Sequence, residues 1–142
     1  MEAGRLAPTA KNAQKWKIIM VEDETVRRRL VDEASPHQQW LKQAPVILAA
    51  CGLDPEHVMT CNQPAYIIDL AIVLDHISLQ AVREGLGTCW IGSYYEEKAK
   101  KVLNIPEHVR IVQLMSLGYP AQSPAPTHRK PIEEFYSKNR FM

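Results

Sequence analysis

The run from Pro64 to Glu84 constrains this chain more than any other segment. Its roughly 21 residues would make a helix about 31 Å long. Its apolar positions, among them Ile67, Ile68, Leu70, Val73, Leu74, Ile77, Leu79 and Val82, go around more than one face. A helix that is apolar on more than one side must be covered on more than one side. Asp69, Asp75, His76, Arg83 and Glu84 interrupt the run, which argues against a membrane span and predicts a core helix. In a domain this small a second subunit could supply the second cover.

Around that helix the chain alternates short apolar runs with helical spacing. Trp16–Val21 and Val46–Cys51 read as buried strands, and Thr88–Ile91 and Ile111–Leu117 as a third and a fourth strand, each bounded by charged residues, Gly or Pro. Glu24–Glu33 places Val26, Leu30 and Val31 at helical spacing, with Arg27, Arg28 and Arg29 interleaved as a solvated face, and a further helical piece surrounds Trp40 and Leu41. Glu2–Ala7 reads as the last turns of a helix stopped before Pro8. Gly85-Leu86-Gly87 supplies the stop after the long helix. Ser93-Tyr94-Tyr95-Glu96 reads as a capping box opening a helix that runs to Leu103. Helices alternating with short strands predict a mixed α/β or α+β sandwich formed by a single domain, residues 1–142. Pro120–Pro131 holds four prolines in twelve residues, which forbids helix and predicts an extended arm over 120–142. Phe135, Tyr136 and Phe141 beyond it form an aromatic end that would dock elsewhere, on a partner subunit as readily as on its own body.

Composition excludes more than it selects. With 142 residues, 46% hydrophobic and 23% charged, the chain can bury about two-thirds of its unfolded surface and is not disordered. Seventeen Lys+Arg against sixteen Asp+Glu leave a net charge of +1, without the basic excess that would point to nucleic acid. Cys51, Cys61 and Cys89 are an odd, unpaired set, which fits a reduced cytoplasmic setting. No membrane or export segment is expected.

Few residues in the chain carry a recognisable chemistry. There is no Cys-x-x-Cys, no His-x-x-x-His and no Glu-x-x-His, so no metal centre is expected, and neither familiar glycine-rich nucleotide loop occurs. Cys89 and His76 could be imagined as nucleophile and base, but their spacing does not bring them together, and a small buried thiol is the simpler reading. No catalytic side chain is assigned. What remains is the polar stretch Thr9-Ala10-Lys11-Asn12-Ala13-Gln14, whose planar amides offer the donors and acceptors that suit the edge of a heterocycle.

Ala7-Pro8-Thr9-Ala10-Lys11-Asn12-Ala13-Gln14-Lys15-Trp16 resembles the Ala-Pro-Ser-x-x-Asn-x-Gln-Pro-Trp signature of the FMN-dependent nitroreductase family, with Lys15 in place of the usual proline. Gly85-Leu86-Gly87-Thr88-Cys89-Trp90-Ile91-Gly92 is similar to the family's second signature. Leu117-Gly118-Tyr119-Pro120, followed by Arg129-Lys130-Pro131-Ile132-Glu133-Glu134, is similar to its C-terminal end. The resemblance covers essentially the whole chain, in order. It implies an α+β three-layer sandwich with a central, mainly antiparallel sheet, dimerisation through the long helix Pro64–Glu84, an exchanged C-terminal arm, and FMN held at the interface of a homodimer.

Carried over residue by residue, the resemblance puts Thr9, Lys11, Asn12 and Gln14 on the flavin ring or ribityl chain, Trp90, Ile91 and Gly92 on the other side of the ring, and Arg129 on the phosphate. Lys11, Trp90 and Tyr94 would shape the acceptor pocket. It implies hydride transfer from NADH or NADPH to the flavin and on to a nitroaromatic, quinone or similar acceptor. The family's Arg-Arg-Ser-type phosphate motif lies well upstream of the first signature, and here seven residues precede Pro8. Either the sequence is an N-terminally shortened form, or phosphate binding rests on Arg129, Lys130 and Lys11. Two charge-assisted contacts fewer, at about 1.5–3 kcal/mol each, would weaken binding by roughly two to four orders of magnitude. The rival expectation is therefore a flavin-free, inert dimeric relic or small-ligand-binding domain of the same fold.

Overall fold

Val46–Gly52 is apolar at every position up to its final glycine, the pattern of a strand covered on both faces. In the computed structural model, which describes residues 1–122 and 125–141, it is a central strand. The elements in chain order are α1 (Glu2–Arg5), β1 (Trp16–Val21), α2 (Glu24–Ala34), β2 (Val46–Gly52), α3 (Ala65–Arg83), β3 (Gly87–Ile91), α4 (Glu96–Leu103), β4 (Arg110–Gly118) and α5 (Ile132–Phe135). Single 3₁₀ turns form at Ala10–Asn12 and Gln39–Gln43. The strands lie in the order β1-β2-β4-β3, every neighbouring pair antiparallel.

Ile47, Ala49 and Cys51 of β2 face α2 and α4, while Leu48 and Ala50 face α3. Ile111 and Leu114 of β4 join the first core, and Val112 and Met115 the second, across a bulge opposite Ala50 and Cys51. The result is the expected three-layer α+β sandwich: α1 and α3, the sheet, then α2 and α4.

Four local outcomes refine the sequence reading. The long helix runs over Ala65–Arg83, with Pro64 and Glu84 as its caps. It ends as its glycine predicts: Leu86 N–H donates to the Ala81 carbonyl (2.8 Å) and Gly85 N–H to that of Val82 (3.0 Å), with Gly85 at φ 75°. Leu70, Val73, Leu74 and Ile77 bury one side of α3, whereas Ile68, Leu79 and Val82 on the other side stay exposed; among the described residues of a single chain, none covers that second side.

The three arginines of α2 are not one solvated face. Arg28 and Arg29 pair with Glu24 (2.7 Å) and Glu33 (2.6 Å) at the surface, but Arg27 turns inward, is buried, and donates from Nη1 to the Glu22 carbonyl at 2.8 Å.

The expected capping box does not form. Tyr95 is the N-cap of α4, without a side-chain cap bond. Glu96 turns instead to β4, where it meets Arg110 and accepts the Ile111 N–H. A carboxylate offered a guanidinium and a strand N–H gains more there than from one helix-end donor.

The arm expected over 120–142 includes Ser123, Pro124 and Met142, which lie outside the described residues; the described residues from Tyr119 to Phe141 are exposed, with the short helix α5 among them.

Candidate functional site

The segment entering β1 is held in a conformation that its residues do not choose by themselves. Lys11 (φ 54°), Asn12 (φ 52°) and Gln14 (φ 51°) are all left-handed. Asn tolerates that region, but for Lys and Gln it is uncommon, and such positions persist only where the surroundings impose them. Those surroundings are visible. Ala10 N–H donates to Oδ1 of Asp69, a buried carboxylate in the first turns of α3, at 2.9 Å. Gln14 N–H donates to the Thr9 hydroxyl at 3.1 Å, and the Gln14 amide nitrogen reaches both the carbonyl and the side-chain oxygen of Asn12 at 3.2 Å. Lys15 Nζ pairs with Asp54 at 2.8 Å, fixing the exit of the turn. Thr9, Asn12 and Gln14 therefore form one hydrogen-bonded unit with Asn12, Gln14 and Lys11 exposed. Asp69 is the residue that sequence reasoning missed. Its signal was available as a lone early carboxylate in an otherwise apolar helical run.

The second candidate segment leaves β3 at the opposite edge of the sheet. Trp90 is exposed, Ile91 is buried, and among the described residues nothing would lie within 4 Å of a Cβ at Gly92, so the backbone there is open to close approach. Tyr94 does not reach into open space. Its ring packs on the core beneath the sheet and its hydroxyl donates to the Ile111 carbonyl at 2.7 Å. Burial, with Glu96 and Cys51 nearby, pushes that phenol up to about 12. Cys89 is exposed on the edge strand rather than buried in the core.

The structure does not bring the two segments together within one chain. Trp16 pairs with Gly52, Gly52 with Arg110, and Ile91 with Leu114. The Asn12 turn and Gly92 therefore point to the same end of the sheet but lie three strand spacings apart, about 14 Å measured across the strands alone, with Ile91 level with Leu114, four residues along β4 from Arg110. Arg129 lies on the exposed arm, donating to the Thr127 hydroxyl and, at 3.1 Å, to the His128 carbonyl. The candidate residues thus fall into two segments at opposite edges of the sheet and a separate arm.

Comparison with known proteins gives this arrangement a context. A family model described as the nitroreductase family matches residues 32–119, which takes in α3, the Trp90–Gly92 segment and three of the four strands. A solved nitroreductase family protein from Clostridium novyi NT is 32% identical, aligns over 84% of this chain and 70% of that one, and superposes with a TM-score of 0.77. NADH dehydrogenase from Thermus thermophilus is 28% identical over 94% of this chain and 80% of its own length. FMN reductase [NAD(P)H] from Bacillus subtilis is 28% identical over 94% of this chain, which spans 60% of the length of that relative.

Proposed function

The chain belongs to the nitroreductase family, and from that premise we propose that it is an NAD(P)H-dependent flavin oxidoreductase, with FMN as the flavin and a nitroaromatic, quinone or similar small molecule as the acceptor. The observation that carries the reading is the Thr9–Gln14 turn, in which three left-handed residues are anchored by buried Asp69 so that two planar amides face outward. The chain offers what a flat ring with alternating donors and acceptors and an anionic tail requires: paired amides at Asn12 and Gln14, an open backbone at Gly92, and exposed Arg129 and Lys130. When bound, FMN supplies the hydride chemistry between NAD(P)H and the acceptor.

The protein's part is to bind, orient and exclude water. Asn12 and Gln14 hold the ring or ribityl chain by hydrogen bonds, with Thr9 and Lys11 beside them. The backbone of Trp90, Ile91 and Gly92 lines the other side, and the exposed Trp90 indole walls the acceptor slot. Arg129 grips the phosphate, for which its planar fork is suited. No side chain is asked to act as acid or base.

Two half-sites three strand spacings apart in one chain need a second copy to face each other, so the active form is a homodimer with the arm of each protomer laid on the other. The surface supports this. Leu79 and Val82 of α3 and Phe135 of the arm stay exposed in the single chain, as apolar surface for a second copy to cover.

The test is spectroscopic. The purified full chain, supplied with FMN, is expected to retain a band near ~450 nm that NADH bleaches. Protein that stays colourless through an FMN titration would overturn the reading in favour of a flavin-free domain of the same fold.

A further inference from the structure

Two side chains just beyond Gly92 hold the same residue of a neighbouring strand from opposite sides. The Tyr94 hydroxyl donates to the Ile111 carbonyl at 2.7 Å, and Glu96 Oε1 accepts the Ile111 N–H at 2.8 Å. Glu96 is itself fixed by the Arg110 guanidinium, with Nε 2.9 Å from Oε1 and Nη2 2.9 Å from Oε2. Ile111 sits at the β4 bulge, where regular pairing with β2 slips and the local ladder is weakened. Upstream, Ile91 is paired with Leu114 of the same strand. The Gly92–Ser93 segment is therefore strung between two fixed points on β4, Leu114 before it and Ile111 after it. Two further bonds tie it to α2: Ser35 Oγ donates to the Ser93 carbonyl at 3.2 Å, and Tyr95 N–H to the Ala34 carbonyl at 2.7 Å. Gly92 has no side chain to pack and, among the described residues, no atom within 4 Å of where a Cβ would stand, so its placement depends on these flanking ties.

We infer that Tyr94 and Glu96 are positioning residues that set the Gly92 backbone against the flavin ring by gripping Ile111 at its carbonyl and its N–H. The inference rests on the flavin reading proposed above. Neither side chain touches the cofactor; each acts through Ile111 and the turn that Ile111 anchors. Loss of either grip leaves the turn less firmly set on β4, with the Ile91 pairing and the remaining grip still in place, and leaves the Asn12 half-site untouched, because that half-site is held by Asp69 and Asp54 at the other edge of the sheet.

The experiment compares wild type with Tyr94→Phe and Glu96→Gln as full chains, well below their melting temperatures, by FMN titration and by visible circular dichroism of the bound flavin. Tyr94→Phe keeps the ring and loses one hydrogen bond. It is expected to weaken FMN binding roughly three- to tenfold and to alter the flavin dichroism. Glu96→Gln keeps an acceptor for the Ile111 N–H but gives up the charge facing Arg110, so it should retain part of the wild-type affinity, whereas Glu96→Ala should not. A purely structural role would lower the melting temperature and leave affinity and dichroism of the folded protein unchanged, and that result for Tyr94→Phe overturns the inference. Wild type that takes up no FMN overturns the flavin reading and this inference with it; wild type that binds FMN while all three variants match it overturns the inference alone.

Discussion

Cys51 shows how one atom's surroundings set a property of the whole protein. Its thiol is buried at the end of β2 with Sγ toward the Ala49 carbonyl, and burial pushes its pKa from 9.0 up to about 11, Glu96 adding to the rise and Lys17 opposing it. The folded protein therefore holds the proton that the unfolded chain gives up. This contribution to stability is fully present below pH 9 and is lost as pH rises through about 11, a decline on the order of 2 kcal/mol. Urea denaturation across that range should show it, and Cys51→Ala should flatten that part of the profile; an unchanged slope in the variant would remove Cys51 as the cause. A thiol reagent at neutral pH should likewise reach Cys61 and Cys89, both exposed, before Cys51, which becomes available on unfolding. At this scale the sequence was read best where a residue answers to its neighbours in the chain. The Thr9–Gln14 turn could be anticipated because its polar residues are bracketed by Pro8 and Trp16, and its hydrogen bonds among Thr9, Asn12 and Gln14 are local. Asp69 and Glu96 were misjudged because their partners, Ala10, Arg110 and Ile111, stand 59, 14 and 15 positions away, respectively.

Elements were legible where turn chemistry marks their ends. Trp16–Val21 is a strand with the bounds expected, and α3 stops at the Gly85 turn that its sequence announces. The failed capping box before α4 shows the limit. The motif Ser93…Glu96 is local, but the bulge at Ile111 competes for the same carboxylate, and no local pattern reveals a competitor on another strand. A similar non-local constraint governs Gly52, where β2 ends. A Cβ there would fall 2.5 Å from Cδ2 of Tyr66 and 3.0 and 3.1 Å from its Cγ and Cβ. These atoms form the root of the ring, which cannot swing aside without moving α3. Gly52→Ala is expected to cost about 1–3 kcal/mol by overpacking, read as a lower urea midpoint. Gly85→Ala offers a contrast: nothing lies within 4 Å of its Cβ, and its φ of 75° carries the penalty instead, about 1 kcal/mol. Equal and negligible effects at both positions would mean that α3 is not held at the distance from β2 described here.

At the scale of the molecule, the order β1-β2-β4-β3 separates what the linear sequence places in order. The two segments proposed as half-sites stand in order in the chain, but their separation by two intervening strands could not be read from it, because strand order is decided by long-range packing. That separation, the exposed apolar side of α3, and the arm ending in Ile132, Phe135, Tyr136 and Phe141 belong to one argument. Leu79 and Val82 are 63% and 68% exposed and Phe135 is 79% exposed, an arrangement that monomers avoid when such residues are contiguous. If a second copy covers them, light scattering should give twice the chain mass. Leu79→Glu with Val82→Glu, which places charge on the exposed side of α3 away from both half-sites, should shift the protein toward monomer. Removal of residues 120–142 tests the arm separately, since it takes away Arg129 along with the aromatic end. Both changes should lower FMN uptake, the first by separating the half-sites and the second by also removing the phosphate grip. A monomeric wild type that binds FMN at full stoichiometry would defeat this account, because one chain would then have closed a gap of three strand spacings that its sheet geometry holds open.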